Sequence, residues 1–567
     1  MMKKIVLFFC LLVATTAMYA QQVAPSFGAP LGVELLLSAN FGELRPDHFH
    51  SGLDFKTQGR TGLKVYAADE GYVSRIAISP WGYGKALYIN HPSGYTTVYA
   101  HLDAFVGAVA DTLLQLQYEK ESFAIDTILA PGVLPVTKGM YIAKSGNSGS
   151  SGGPHLHFEI RHTASESPID PLPWYRHLIN DNVAPDPRLV TVYHHDKAVA
   201  GNPIPKSALQ LQSVSSNTYN ATADLEAWGR VSLGIKAYDK MTGTTNIYGV
   251  HSVRCWVDDS LIYSSTIDSI TFAETRYINS LIDYDELRSN KGSTIMRTAL
   301  LPGNKLSTIY DTLPTEGMWV IDQERMYHCM YELTDLYGNT SRVKFNIKGV
   351  PAETATITST SDDVIYFDYN HDNEYATEQM NIYIPAGALY DNLNFMYKMK
   401  ESVEGYSSLH RIHNRTVPLH KWCEVAIKLT CDTLPDEKYY LQYSYDDKKS
   451  PIIGRYEAGW YVARVRSLGN YKVMADVDAP KIVARKPENW VANGKISFNI
   501  TDKGSGIATY RGEIDGNYCL FEYDAKTNRL SCNMKDYPFK KGVTYTLSLV
   551  VTDHCGNSNR VKHTIKL

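Results

Sequence analysis

The sequence predicts a mostly β protein, with an N-terminal antiparallel β-sheet domain followed by several β-sandwich domains. Short alternating segments punctuated by glycine follow one another along the first third of the chain. The 567 residues include 40 tyrosines, a residue type that is enriched in strands. Tight turns of the Asp-x-x-Gly-Asn type recur further along the chain. Alternation bounded by such turns is typical of half-buried strands.

The length and charge of the chain limit its organisation and its partners. A chain of 567 residues is too long for one hydrophobic core, and roughly 150 residues per domain predicts three to four domains. The net charge of -4 provides no basic field for nucleic acid, so we expect no nucleic-acid partner. Downstream of the N-terminus no stretch is long and apolar enough to predict a transmembrane segment.

The first 20 residues have the layout of a Sec-type signal peptide. Two lysines precede an apolar run over residues 5–14, and small and polar residues follow as far as Gln21. This apolar core is too short to span a bilayer. Cys10 lies within the run without the small residues that precede a lipid-modified cysteine. We therefore expect residues 1–20 to be removed and the protein to be secreted or held in the periplasm or cell envelope.

Recurring motifs predict the domain boundaries. The pattern Asp-x-x-Ala-Pro occurs at residues 181–185 and again at 476–480, and each copy opens a new module. The modules share an order of strand, Asp-Gly turn and closing Asp-x-x-Gly-Asn turn, which is expected of β-sandwiches. They resemble immunoglobulin-like modules of bacterial surface proteins. The predicted domains are an N-terminal domain over 21–180, Ig-like sandwiches over 181–350 and 478–567, and a β-rich domain over 351–477.

The N-terminal domain contains six predicted strands and one insertion. The strands are predicted over residues 64–67, 71–78, 86–91, 96–101, 140–145 and 155–161. Residues 103–138 interrupt this rhythm, with a helix-compatible segment at 113–121 and prolines that close it. We interpret this segment as an insertion at a loop tip, where added residues cost little.

Cysteine usage leaves the disulfide pattern open. Without Cys10 the chain keeps seven cysteines, an odd number for an exported protein. Disulfides such as Cys423 with Cys431 or Cys519 with Cys532 are compatible with that compartment, but spacing does not determine pairing. We expect buried or locally paired structural cysteines, with at least one free thiol unless it pairs between chains.

Four histidines and one aspartate form the only chemistry-bearing cluster of motifs. The motifs are HSGLD at residues 50–54, YAHL at 99–102 and GPHLHFE at 153–159. A catalytic zinc needs three protein ligands of N or O type and one open position. Two histidines that alternate along a strand share one face of it, so one can bind metal while its neighbour faces the substrate.

Two other interpretations of these motifs are weaker. A closed structural zinc site would use four ligands and usually cysteines. The run SGNSGSSGGP at residues 145–154 suggests a phosphate loop, but no lysine follows it and no helix begins there. A loop that keeps the wall of a cleft thin fits this run better.

Together these motifs give residues 45–172 a resemblance to a known family. They resemble the lysostaphin-like, or LytM-type, zinc metalloendopeptidases, which cut peptide cross-links in bacterial peptidoglycan. Carried over by motif, the resemblance implies that one Zn²⁺ is bound by His50, Asp54 and His157. It implies that His101 and His155 are the catalytic pair. Glu159 invites assignment as a general base, but its position two residues after His157 on the same strand face fits equally well a partner that fixes an imidazole tautomer. The insertion is expected to reshape one rim of the groove.

The resemblance leaves three functional hypotheses. The first is an exported zinc endopeptidase that hydrolyses peptidoglycan stem-peptide cross-links, with sandwich domains that position it or dock envelope proteins. The second is a non-catalytic envelope scaffold or activator that binds peptidoglycan through the same fold; the complete ligand set favours the enzyme. The third is an enzyme kept latent by the insertion or a downstream domain. A D-Ala to diaminopimelate bond is expected in a Gram-negative wall, and glycine bridges less so.

Overall fold

A computed structural model describes residues 26–290, 292–351 and 365–567. The predicted signal peptide lies outside the described residues. Strands make up most of the regular structure, which confirms the mostly β prediction. Among the described helices none has both the length and the apolar composition needed to cross a bilayer. The α-helices are Gly107–Glu119 (α1), Leu172–Tyr175, Ile278–Leu281, Tyr284–Ser289 and Trp490–Asn493.

The N-terminal domain consists of short antiparallel strands. Along the chain they are β1 (Leu37–Ala39), β2 (Leu44–Arg45), β3 (His48–Phe49), β4 (Leu53–Lys56), β5 (Lys64–Tyr66), β6 (Gly71–Ile78), β7 (Lys85–Asn90), β8 (Tyr95–Ala100), β9 (Ala104–Phe105), β10 (Ile125–Ile128), β11 (Pro135–Val136), β12 (Tyr141–Lys144), β13 (His155–His162) and β14 (Pro168–Ile169). The six strands predicted for this domain agree with β5, β6, β7, β8, β12 and β13 to within one residue at either end.

One large sheet dominates this domain. Its strands follow the order β1-β4-β13-β8-β7-β6-β10, with β11 paired to β6 and β14 paired to β13. A smaller sheet has the order β5-β12-β9. Strand β13 lies between β4 and β8, so it is paired on both sides. Its alternate residues Leu156, Phe158 and Ile160 are fully buried, which leaves its other face for polar side chains.

The insertion extends the sheet rather than forming only a loop tip. Strand β10 pairs with β6, and β11 pairs with the start of the same strand. The edge backbone groups of β6 thereby gain hydrogen-bond partners, and Phe123 and Ile125 become buried. The predicted helix over 113–121 was placed too late, because α1 begins at Gly107 and ends at Glu119.

The region after residue 181 is a second strand-rich unit. Its strands are Asp186–His194, Lys206–Ser215, Thr218–Ala221, Leu225–Ala227, Gly229–Tyr238, Ser252–Val257, Ser260–Thr266, Met296–Arg297, Tyr310–Thr312, Met318–Ile321, Met326–Thr334 and Thr340–Gly349. We call this unit the middle module. Its apolar core is continuous with that of the N-terminal domain, so these two units pack as one body.

Two further units follow. The first contains two five-stranded sheets; its strands are Ile365–Phe367, Asn373–Ala376, Met380–Ile384, Leu393–Phe395, Tyr397–Lys400, Leu409–Ile412, Pro418–Lys428, Tyr439–Tyr445, Lys448–Ile452, Arg455–Glu457, Trp460–Ser467 and Gly469–Ala475. The C-terminal module contains two four-stranded sheets; its strands are Lys481–Ala484, Lys495–Thr501, Ile507–Ile514, Asn517–Cys519, Glu522–Asp524, Arg529–Asn533, Thr544–Asp553 and Ser558–Lys566. The exact domain boundaries and the Ig-like resemblance stay predictions.

The seven cysteines of the described residues are free thiols in this structure. Cys423 is buried and Cys431 is exposed. The thiols of Cys519 and Cys532 lie 3.3 Å apart on strands of the C-terminal module. Of the two disulfides considered above, only the second has its sulfurs side by side, and its formation in an oxidising compartment stays a prediction.

Candidate metal centre and its histidines

The centre of the large sheet brings together residues that lie about a hundred positions apart in sequence. His157 of β13 is directly opposite Asp54 of β4 on one side and Ala100 of β8 on the other. His101 follows Ala100 immediately and has a positive φ of 57°, which turns the chain out of the strand. Asp54, His157 and His101 therefore lie side by side across three neighbouring strands.

Three donor atoms converge on a single point. His50 Nε2 lies 3.1 Å from Asp54 Oδ1 and 3.1 Å from His157 Nδ1. His157 Nδ1 lies 2.9 Å from Asp54 Oδ1. A tetrahedral zinc with bonds of about 2.0–2.1 Å would hold its ligands roughly 3.3 Å apart. The three donors thus need to spread by only a few tenths of an ångström to receive the ion.

Hydrogen bonds on the outer side of each ring direct the ligand nitrogens inward. His50 Nδ1 donates to the Asn40 carbonyl at 2.6 Å, so its Nε2 carries a lone pair. His157 Nε2 donates to Glu159 Oε1 at 2.8 Å, so its Nδ1 faces the other two donors. Although burial opposes it, Asp54 and Glu159 raise the pKa of His157 to about 9, so positive charge is favoured at this point, as a proton or as a bound cation. The donor set of two imidazoles and a carboxylate suits zinc.

Glu159 is fully buried and anchors a hydrogen-bond network behind His157. Its Oε1 accepts from Ser51 Oγ at 2.7 Å and from the Tyr83 hydroxyl, and its Oε2 accepts from Arg161 Nε at 2.5 Å. Burial alone would raise the pKa of Glu159, but Arg161 and His157 hold it well below its usual range. The carboxylate therefore stays charged and fixes the His157 tautomer.

Asp54 is held in a similar way from the other side. Its Oδ2 accepts from Arg45 Nη2 at 3.2 Å, which leaves Oδ1 for the metal position. Burial favours the neutral acid, yet the neighbouring histidines keep the pKa of Asp54 well below its usual range. Arg45 therefore lies directly against one of the three proposed ligands.

His101 and His155 form a pair beside the metal position. Their ring centroids are 4.8 Å apart. His101 Nδ1 donates to the Ser148 carbonyl at 2.9 Å, and His155 Nδ1 donates to the Gly153 carbonyl at 2.8 Å. Both carbonyls belong to the glycine and serine loop at residues 145–154. This loop therefore holds both Nδ1 atoms and leaves the Nε2 of each ring free of a bond to the loop.

The two rings differ in their surroundings. The His155 Nε2 lies 3.5 Å from Asp54 Oδ1, so it points toward the metal position. Burial, with smaller contributions from His157 and His155, lowers the pKa of His101 to about 3. His101 is therefore neutral at physiological pH.

Other histidines and polar residues of the domain lie away from this point. His91 is buried between the Glu70 carbonyl and Thr97, and His162 is exposed. Asn90 bonds Ser74 and Thr96 on another part of the sheet. His48 is exposed and bonds the Pro46 carbonyl. None of these residues contacts a ligand or the catalytic pair.

Comparison with known proteins agrees with this geometry. Residues 48–114 match the model of peptidase family M23, a segment that includes three of the five site residues. This match and the relatives described below support a LytM-type peptidase for the N-terminal domain, which we call the peptidase domain. A second match, to the Zu5-like domain, covers residues 364–476.

Several known proteins are similar to this peptidase domain. An uncharacterized metalloprotease of Haemophilus influenzae is 33% identical over 119 residues, which is 21% of this chain and 19% of that protein. The peptidoglycan DD-endopeptidase ShyB of Vibrio cholerae is 33% identical over 111 residues, or 20% of each chain. The DD-carboxypeptidase/endopeptidase Mpg of Neisseria meningitidis is 30% identical over 22% of each chain. The matches thus span about a fifth of each relative's length.

Solved structures are also similar to this chain, over about a quarter of its length. A zinc containing peptidase from Vibrio cholerae is 28% identical, with a TM-score of 0.20, over 26% of this chain and 39% of that one. The catalytic domain of lysostaphin from Staphylococcus simulans is 24% identical, with a TM-score of 0.18, over 24% of this chain and 89% of that one.

The middle module supports the peptidase domain behind His50. The Asn40 side chain bonds the Gly249 backbone twice, at 2.8 and 2.9 Å, and the Asn40 carbonyl in turn accepts from His50. Beside it, Asn279 bonds both the backbone and the side chain of Asp47, and Thr275 Oγ1 accepts from the Phe49 backbone at 2.9 Å. The chain that carries His50 is therefore held by partly buried hydrogen bonds from another module.

The C-terminal module contacts the peptidase domain on the opposite side. Lys526 Nζ donates to the carbonyls of Asn147 and Ser151 in the glycine and serine loop. Lys85 pairs with Glu522 at 3.0 Å. The insertion contributes as well, because Arg511 pairs with Glu121 at 2.6 Å and the Tyr118 hydroxyl donates to the Asp536 carbonyl at 2.8 Å.

Sequence reasoning missed four groups at this centre. Arg161 continues the alternation of His155, His157 and Glu159 along β13, so the period of two could have identified it. Ser51 lies within the HSGLD motif. Tyr83 and the support from the middle module carry no sequence signal, since they come from a separate turn and a separate module.

Proposed function

We propose that this chain is an exported zinc endopeptidase that hydrolyses peptide cross-links of peptidoglycan. The observation that carries the proposal is the convergence of two imidazole nitrogens and one carboxylate oxygen, 2.9 to 3.1 Å apart, beside the paired rings of His101 and His155. The three donors would hold one Zn²⁺, and the two remaining rings lie where a substrate amide would be attacked. Export rests on the predicted signal peptide over residues 1–20.

The residues of the chain divide into two chemical roles. Zinc bound by His50, Asp54 and His157 would polarise the scissile carbonyl and lower the pKa of a water to about 7. The free Nε2 of His155 accepts a proton from the attacking water and returns it to the leaving amine. His101, neutral because of its lowered pKa, orients the water by accepting a hydrogen bond at its Nε2.

The choice of substrate rests on the similar proteins. Relatives named as peptidoglycan DD-endopeptidase and DD-carboxypeptidase/endopeptidase match the peptidase domain. A stem-peptide cross-link ending in D-Ala is therefore the proposed target. The rest of each relative lies outside the match, so this substrate is inferred from the peptidase domain alone.

Digestion of purified peptidoglycan tests the proposal. The full chain without its signal peptide, loaded with Zn²⁺, is incubated with sacculi and the released muropeptides are identified by mass spectrometry. We expect monomeric stem peptides to replace cross-linked dimers, while glycan strands stay intact. Bound zinc is measured in parallel by elemental analysis.

A scaffold would give a different result. Protein that binds zinc and sediments with sacculi but releases no muropeptides, in the wild type and at every salt concentration, would contradict hydrolysis and favour the non-catalytic alternative. Cleavage retained by His50→Ala protein would contradict the assigned ligands.

A further inference from the structure

A second cluster of acidic side chains lies where the peptidase domain joins the middle module. Asp181, Asp239 and Asp335 are 7%, 5% and 4% exposed. Each contributes a carboxylate oxygen to a group whose members all lie within 4.8 Å of one another. Asp181 belongs to the linker motif, and the other two follow strands of the middle module. We call these three residues the junction cluster.

Buried carboxylates usually accept hydrogen bonds. In the junction cluster, Asp335 and one oxygen of Asp181 do so. Asp335 accepts from the Tyr337 and Asn339 backbone and from the Asn339 side chain, at 2.7 to 2.9 Å. Asp181 Oδ1 accepts from the Val183 and Thr242 backbone at 3.1 and 2.9 Å. These bonds fix the orientation of both side chains.

Two oxygens remain without partners. Asp181 Oδ2 and Asp239 Oδ1 are buried and neither accepts a hydrogen bond from any described residue. An unpaired buried carboxylate oxygen costs several kcal/mol unless a proton or a cation compensates for it. These two oxygens therefore mark a position for a positively charged ligand.

No basic side chain fills that position. Among the residues that the structure describes, none of the three aspartates forms an ion pair with lysine, arginine or histidine. The nearest cations are engaged elsewhere, since Lys240 pairs with Asp186 at 2.6 Å and Arg176 lies over the Tyr337 ring. Burial and the charge of Asp335 raise the pKa of Asp239 to about 8, which reflects this lack of compensation.

We propose that the junction cluster binds a calcium ion. Three carboxylates with no nitrogen or sulfur donor suit a hard divalent cation. Calcium bonds oxygen at about 2.4 Å, so oxygens on opposite sides of the ion lie roughly 4.8 Å apart. The three carboxylate oxygens all lie within 4.8 Å of one another, so one ion could contact all of them. Waters and backbone carbonyls would complete the six to eight ligands that calcium prefers.

The position of the site gives it a mechanical role. The linker that carries Asp181 is bonded to the middle module through Tyr337, whose hydroxyl donates to the Ile179 carbonyl at 2.6 Å, and through Thr242. An ion shared by the linker and two strand ends of the module would fix the angle between module and peptidase domain. The same module holds Asn40 and Asp47 beside the zinc ligands.

The architecture of this junction is repeated at the C-terminal module. Asp476, Asp502 and Asp553 form a corresponding group. Asn557 bonds both Asp553 and the Asp476 carbonyl, as Asn339 bonds Asp335 and the Asp181 carbonyl. This second group contains no oxygen that is both buried and unpaired, so the proposal is confined to the first.

Thermal unfolding with and without calcium tests the proposal. The full-length zinc-loaded protein is dialysed free of calcium and melted with 0 and about 1 mM CaCl₂. We expect calcium to raise the first melting temperature by at least ~2 °C through preferential binding to the folded state. Titration calorimetry should give at least one calcium site per chain.

Three variants make the result specific. Asp239→Asn keeps the shape of the side chain and removes its charge, so it should fold, melt at or above the calcium-free wild type, and lose the calcium shift. Asp186→Asn removes a neighbouring acid that already has basic partners, and it should keep the shift. Asp54→Ala removes a zinc ligand and should also keep it.

Two results would overturn the site. The first is a wild-type protein whose melting temperature and calorimetric signal do not respond to calcium. The second is an Asp239→Asn protein that folds, as judged by circular dichroism, and responds to calcium as the wild type does. Neither result depends on hydrolysis, so failure of the proposed function would leave this test intact.

Discussion

The two sides of the metal centre are supported in different ways. Behind His50, the middle module holds the chain mainly through hydrogen bonds of Asn40, Thr275 and Asn279, with Arg276 and Arg288 paired to Asp47 as well. Beside the catalytic pair, the C-terminal module contacts the glycine and serine loop through the exposed charged side chains of Lys526 and its neighbours. Hydrogen bonds made by neutral side chains persist in salt, whereas exposed contacts of charged side chains are weak and are screened by salt. We therefore expect the side of the metal centre that carries His50 to be rigid, and the side that carries His101 and His155 to be adjustable. We call them the rigid side and the adjustable side.

The largest effects are expected at the reacting groups themselves. His50→Ala and Asp54→Ala should abolish both zinc binding and cleavage, because each removes one of three ligands. His155→Ala should keep zinc and lower kcat by ~10²–10⁴-fold, as expected for loss of general acid–base catalysis. Elemental analysis and muropeptide release separate the two classes. Loss of zinc from His155→Ala protein would contradict the assignment of His155 as a catalytic residue rather than a zinc ligand.

A smaller effect is expected at Glu159, which contacts the zinc ligand His157 rather than the metal position. Glu159→Gln removes the charge that fixes the His157 tautomer and that compensates buried Arg161. We expect zinc affinity or activity to fall by ~10–100-fold. The control is Glu166→Gln on an exposed turn, which should change neither quantity. Competition with a zinc chelator measures the affinity, and wild-type affinity in Glu159→Gln protein would show that the tautomer is fixed without this charge.

The rigid side can be tested through the middle module. Asn279→Ala removes two hydrogen bonds to Asp47 and should destabilise the protein by about 1 kcal/mol, with a fall in kcat of a few fold. The effect should be independent of ionic strength, because no charge pair is lost. Denaturant unfolding and assays at 50 and 500 mM NaCl check both points. A defect that appears only in high salt would contradict the expectation that salt-insensitive hydrogen bonds support this side of the metal centre.

The smallest effect is expected on the adjustable side. Lys526→Ala releases the glycine and serine loop from the C-terminal module, and exposed charge contacts are worth about 0.2–1 kcal/mol. If these contacts hold the enzyme latent, cleavage of sacculi should rise by no more than ~5-fold at low salt. In 500 mM NaCl the wild type should reach the rate of the variant. Equal rates at both salt concentrations would exclude latency through this contact.

Truncating the chain after residue 180 would change both sides of the metal centre. A fragment of residues 21–180 loses both supports at once, so a gain from releasing the catalytic side would be offset by loss of the bonds around Asn40 and Asp47. Deleting residues 478–567 alone separates the two contributions, because the middle module remains in place.

Much of the site could be predicted from sequence, since its residues lie in short motifs whose geometry is local. Alternation along one strand places His155, His157 and Glu159 on one face whatever surrounds them. The same rule extends to Arg161. Strand positions were likewise predictable to within a residue, because the alternation of apolar and polar residues is set by the strand period itself.

What only the tertiary structure decided lies between elements that are distant in sequence. Tyr83 reaches Glu159 from a separate turn, and Asn279 reaches Asp47 from a separate module. The insertion became an edge of the sheet because β6 offered unpaired backbone groups, which no local pattern reveals. The sequence by itself therefore determined the ligands and their strand, since these follow from local geometry. The supports, the salt-sensitive contact and the junction cluster follow from long-range packing, which only the folded chain establishes.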